Sequence, residues 1–167
     1  MMDTIGGLPA HPLVVHLPVV LIPLALIGVL LMMVRPSLLP KLGVPVAVLA
    51  GLGFLGSIVA AGSGEELEEQ FESAGETISG TLRDHAEMGE NVQWIAGVFF
   101  VIVLAWVLFA AWRRRAGEDH AVAKVRKPRI VHATLAVLVA VSGVAATYAV
   151  YATGHSGAKS VWEQDAG

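Results

Sequence analysis

Six histidines are the residues of this chain best able to do chemistry: His11, His16, His85, His120, His132 and His155. An imidazole titrates near neutral pH, and its two ring nitrogens make it the commonest metal ligand and a frequent haem ligand. No cysteine is present, so disulfides, thiolate metal sites, cysteine-held iron–sulfur clusters and covalent c-type haem are excluded. Five glutamates, Glu65, Glu66, Glu68, Glu69 and Glu72, form a second group of metal-capable side chains. Hard cations require oxygens converging from several directions. These carboxylates instead read as the solvated face of a short helix. There is no phosphate-binding glycine loop, no Gly-x-Ser-x-Gly elbow and no His-Glu-x-x-His.

The elements that must position these imidazoles are membrane helices. Of 167 residues, 55% are apolar and 15% charged, and the mean hydropathy is +0.68. That leaves too little polar surface to coat a soluble domain. A helix needs roughly 20 mostly apolar residues to cross a bilayer, and four stretches qualify: about 12–34, 42–61, 92–112 and 130–152. Each is apolar nearly all round, and unpaired strand edges are not tolerated in lipid. The expected fold is therefore all-α, a single four-helix transmembrane bundle.

Charge sets its orientation. Nine of the eleven Lys and Arg flank one side: Arg35 and Lys41 between the first two spans, and seven residues from Arg113 to Arg129 between the last two. That side is expected to be cytoplasmic, which puts both termini and the acidic segment 63–90 outside. The basic cluster at 113–129 suits topology and anionic headgroups, and no accompanying pattern suggests nucleic-acid binding. A cleaved signal peptide is not expected, because the first eleven residues lack a positive n-region. The apolar run also exceeds the usual 7–15 residues or so of an h-region.

Within segment 63–90, Ser63 with Glu66 predicts the capping box of a separate short acidic helix, broken again at Ser73-Ala74-Gly75. Thr81-Leu82-Arg83-Asp84 predicts a further helix start. Gly53, Ser57 and Ala61 form a stripe of small residues on span two, with a comparable patch at Ser142, Gly143, Ala145 and Ala146 on span four; both predict close helix packing. Pro18 and Pro23 predict a kinked first span.

This topology gathers His11, His16, His85 and His155 at the outer face, with His132 and His120 toward the cytoplasm. His16 lies about one turn inside an apolar span, where a polar group usually faces the bundle interior. The expected cofactor site is therefore His16 paired with His85, with His155 in reserve and His11 nearby, holding haem b or a metal of unknown identity. His155 is expected in a Gly-His-Ser-Gly turn. No acidic residue lies in mid-span, which argues against proton-driven transport.

The opening Gly7-Leu8-Pro9-Ala10-His11-Pro12-Leu13-Val14-Val15-His16-Leu17-Pro18 resembles the signature start of the domain of unknown function 2231 family, small bacterial four-span membrane proteins. The exit Ala60-Ala61-Gly62-Ser63-Gly64, the histidine ahead of span three (His85), and the ending Gly154-His155-Ser156-Gly157-Ala158-Lys159-Ser160-Val161-Trp162 are similar to that pattern too. The resemblance implies a bacterial inner membrane location and no defined activity. Some members carry an appended Rieske or cytochrome-type domain, which implies respiratory electron transfer; no such domain is expected within these 167 residues. Two functions are therefore expected. One is a haem b or metal-binding protein linked to electron transfer; the other is a non-catalytic subunit docking a membrane redox or transport complex. A homo-oligomer is an alternative partner.

Overall fold

The computed structural model describes residues 4–5, 8–75, 80–115 and 128–165, and side chains for 11–75, 80–115 and 129–159. Four helices among them are long and apolar enough to cross a membrane. A two-residue ladder, β1 (Thr4–Ile5) with β2 (Leu8–Pro9), precedes the short helix α1 (Ala10–Val14). The long helices are α2 (His16–Val34), α3 (Leu39–Ser73), α4 (Gly80–Arg115) and α5 (Pro128–Asp165). A 3-10 turn at Pro36–Leu38 joins α2 to α3. Each helix packs on its sequence neighbours, and α2 closes the ring on α5. His120 and most of the basic 113–129 segment lie outside the described residues.

The first span is interrupted just ahead of Pro18, one of the two prolines expected to kink it. Pro18 has no N–H to give the Val14 carbonyl, so the ladder opens at Val15 and α1 separates from α2. Pro23 lies inside α2 without ending it. Val15 keeps helical dihedrals, and its N–H donates to the His11 carbonyl at 3.1 Å while its carbonyl accepts from Val19 N–H at 3.3 Å, so the chain stays helical through the interruption.

The acidic segment also departs from expectation. No separate helix begins at Ser63; α3 runs unbroken through Gly62-Ser63-Gly64 to Ser73. The Ser63 hydroxyl donates back to the Ala60 carbonyl at 3.0 Å instead of capping a new helix. The predicted break at 73–75 does occur. Gly75 adopts φ 77°, and its N–H donates to the Glu72 carbonyl at 3.0 Å, a left-handed stop suited to glycine. Similarly, Gly154-His155-Ser156-Gly157 forms no turn: it lies within α5.

Helix length explains the architecture. At about 1.5 Å per residue, the 19 residues of α2 match a hydrocarbon core of about 30 Å. The 35, 36 and 38 residues of α3, α4 and α5 exceed it by several turns. Their excess projects at the end that carries α1, Ser73, Gly80 and Asp165, opposite Arg35, Lys41, Arg113 and Arg129. There the extensions and α1 build a layer beyond the apolar bundle.

The bundle core is made of Ile22, Ala25, Val29 and Met32 from α2, Ala50 from α3, Phe99, Val103 and Trp106 from α4, and Val139 and Ala146 from α5. Val20, Ile27, Leu55, Val101 and Val141 face outward and exposed, as a lipid-covered bundle requires. The small-residue stripes serve packing, as expected. A Cβ on Gly53 would come within 2.8 Å of Ile22, and one on Gly143 within 2.8 Å of Leu26 and Phe99.

Candidate functional site

Two imidazoles meet in the layer formed by the helix extensions. His11 arrives on α1, just ahead of α2. Its Nδ1 lies 3.0 Å from the Ala60 carbonyl and 3.1 Å from the Ser63 hydroxyl of α3. His85 comes from the extension of α4, and its Nδ1 lies 3.1 Å from the Thr153 carbonyl of α5. A carbonyl only accepts, so both Nδ1 atoms carry a proton. In each neutral ring, Nε2 is therefore the nitrogen with the lone pair. The ring centres are 6.2 Å apart and the planes stand at 86°.

Both rings rest on glycines. A Cβ on Gly64 would sit 3.2 Å from Cε1 of His11, and one on Gly157 would sit 2.7 Å from Cε1 and 3.1 Å from Nε2 of His85. The Gly-Ser-Gly run of α3 and the Gly-x-x-Gly run of α5 thus each supply a hydrogen-bond partner or a bare patch of helix for one imidazole. Mid-helix glycine costs up to about 1 kcal/mol of helix propensity, so room for the rings is the compensating feature.

A cavity of about 390 Å³ surrounds the pair, within the usual range of roughly 300–1,000 Å³ for small-ligand sites. Its deeper wall includes Ser57, Val92 and Val150, and Glu65, Glu68 and Glu90 also line it. Imidazolium charges on both rings would repel across this largely apolar space, so protonating one disfavours protonating the other.

The expected pairing of His16 with His85 is not what the structure brings together. His16 is exposed on the first turn of α2 and donates from Nδ1 to the Pro12 carbonyl at 2.7 Å. It does not line the cavity. The inference that an apolar span must turn His16 inward fails, because this turn lies at the bundle rim and the ring folds back on its own backbone. His155 is also exposed and stacks on Tyr151, with centres 6.2 Å apart and planes at 14°. The ring beside His85 is that of His11, which was expected only near the site.

At the opposite end, His132 packs against Trp106 with ring centres 5.7 Å apart. Among the described residues, the buried Nδ1 of His132 and Nε1 of Trp106 have no hydrogen-bond partner. Among the described residues, no group of three or more His, Cys, Asp or Glu is arranged to hold a metal. The sequence reading missed Ala60, Ser63, Thr153 and Gly157 as supports of the site. Three of them stand in the quoted motifs Ala-Ala-Gly-Ser-Gly and Gly-His-Ser-Gly, which was the available signal.

The model of one family, described as a predicted membrane protein (DUF2231), matches residues 7–167. No curated protein and no solved structure matches the chain.

Proposed function

We propose a metal-centre role for this chain, which belongs to the DUF2231 family of predicted membrane proteins: His11 and His85 together ligate one metal, as haem b iron or as a bare ion. The observation that carries this reading is the pair of tethers. Histidines that ligate metals almost always donate their other ring N–H to a carbonyl, carboxylate or water, which fixes the tautomer and raises ligand basicity. Both rings are held in that way, by Ala60 and Thr153, and from different helices.

The ring separation supports it as well. A metal–nitrogen bond of about 2 Å, with the ring centre about 1 Å beyond, puts two imidazoles on opposite sides of one metal roughly 6 Å apart. The observed 6.2 Å leaves room for a metal between the two rings. A bound haem would supply one-electron chemistry, and the chain's own part would be to fix both ligands and exclude water with the apolar wall. By the distribution of Lys and Arg, the site lies on the non-cytoplasmic side, in a bacterial inner membrane.

The test is an absorption spectrum of the protein in mild detergent, oxidised and then dithionite-reduced, together with metal analysis of the same sample. Either resolved haem bands or a stoichiometric metal should be found, lost in His11→Ala and in His85→Ala and retained in His16→Ala. A colourless, metal-free protein that gains neither on reconstitution refutes the reading.

A further inference from the structure

Resting on the two-imidazole reading above, we infer that the ligand is a bare monovalent copper ion, Cu(I), held in line between Nε2 of His11 and Nε2 of His85. Donor count is the first argument. Zinc sites take three or four protein ligands, calcium takes six to eight oxygens, and square-planar Cu(II) or Ni(II) needs four donors. The described residues offer two imidazoles and no third His, Cys, Asp or Glu in reach. A closed-shell monovalent ion is satisfied by two donors in a line, and imidazole is an established copper ligand.

Geometry is the second argument. With the same bond lengths, a tetrahedral angle at the ion would bring the ring centres to roughly 5 Å, while a linear one leaves them roughly 6 Å apart. The observed 6.2 Å leaves room for the linear arrangement. Perpendicular ring planes are compatible with a line of three atoms, because rotation about that line is free.

Charge and room are the third. Desolvation cost rises with the square of the charge, so neutral ligands in an apolar cavity favour +1 over +2. Glu65, Glu68 and Glu90 on the lining gather cations toward the site without having to bind them. A haem macrocycle extends on every side of its iron, whereas α5 closes one side of His85: a Cβ on Gly157 would stand 3.1 Å from Nε2. A bare ion needs no such clearance.

The experiment titrates the detergent-solubilised full chain with Cu(I) under ascorbate, in competition with a chromophoric Cu(I) chelator, and records the X-ray absorption edge of the loaded protein. One Cu(I) per chain with a two-coordinate, all-nitrogen signature is expected. His11→Ala and His85→Ala should each weaken binding at least about a hundredfold, with His16→Ala and His155→Ala unchanged. If either cavity variant misfolds by circular dichroism, the coordination number and donor type in the unmodified chain still decide. Tighter binding of Zn(II), or three or more donors on copper, overturns the inference. Haem bands with no Cu(I) uptake overturn it while leaving the two-imidazole reading intact. Absence of any metal or haem removes both.

Discussion

The two ends of this bundle each bury an imidazole beside another ring, and they treat it in opposite ways. At the terminal end His11 and His85 have their Nδ1 protons placed on carbonyls of other helices, and glycines lie beneath both rings. At the basic end His132 and Trp106 touch as closely, 5.7 Å between centres, yet a buried nitrogen on each has no partner among the described residues. Burial of a histidine is common to both. What separates them is backbone support: each terminal ring donates to a carbonyl of another helix and both line one cavity, whereas among the described residues neither basic-end nitrogen has a hydrogen-bond partner. Polar burial therefore marks a site only where neighbouring backbone has been arranged to orient it.

The largest effect that would break this contrast comes from the ligands. Replacing both His11 and His85 by Ala should abolish metal binding, while His132→Ala should leave stoichiometry unchanged in the same metal analysis. Equal losses in the two cases would place the site elsewhere.

Gly157→Ala should come next, with a loss of about 10–100-fold in affinity, the scale on which displaced outer-shell support acts, because the new methyl meets the His85 ring at 2.7 Å. Gly154→Ala, one turn earlier on α5 with nothing within 4 Å, is its control. It should keep affinity and gain up to about 1 kcal/mol of helix stability, read by thermal melting. A matching loss at Gly154 would mean that helix flexibility, not ring seating, is what Gly157 provides.

Ser63→Ala removes one of two acceptors near the His11 Nδ1–H and keeps the Ala60 carbonyl. A weakening of only a few fold is expected, on the order of 1 kcal/mol for one neutral hydrogen bond, measured by the same chelator competition. A loss as large as that of His11→Ala would make Ser63 the main orienting group.

The smallest change is expected at the basic end. Trp106→Phe deletes an unsatisfied buried donor, a gain of about 1–3 kcal/mol, against the volume lost from a packed core. The opposing terms leave a net shift in thermal stability near zero and metal binding unaffected. A strong loss of stability would show that Nε1 of Trp106 has a partner in the folded protein, and the two ends would then be less different than they look.

Much of the fold was legible in order of residues alone, because lipid imposes a simple rule. Four apolar stretches of about twenty residues admit only helices, and the stop at Gly75 follows from glycine's access to positive φ. The site was half legible. His85 and the Gly-Ser-Gly and Gly-His-Ser-Gly runs stood out by composition, but the runs read locally as a cap and a turn. Both lie inside helices, since three helices extend beyond the bilayer thickness. His16 misled because depth along a span was taken for depth in the bundle; its position on the helix circumference put it outside.

What the sequence by itself determined is the membrane-spanning, four-helix character of the chain, the side of the bundle on which basic residues collect, and the absence of thiol chemistry. These depend on sums over many residues, or on a residue type being missing, and neither needs coordinates. Only the tertiary structure decided that His11 pairs with His85. Each ring is held by a carbonyl far along the chain, 49 residues from His11 and 68 from His85. The pairing arises from helices that extend beyond the bilayer thickness and from bare glycine surfaces on two other helices. Helix rotation and crossing set it, and no local pattern encodes those.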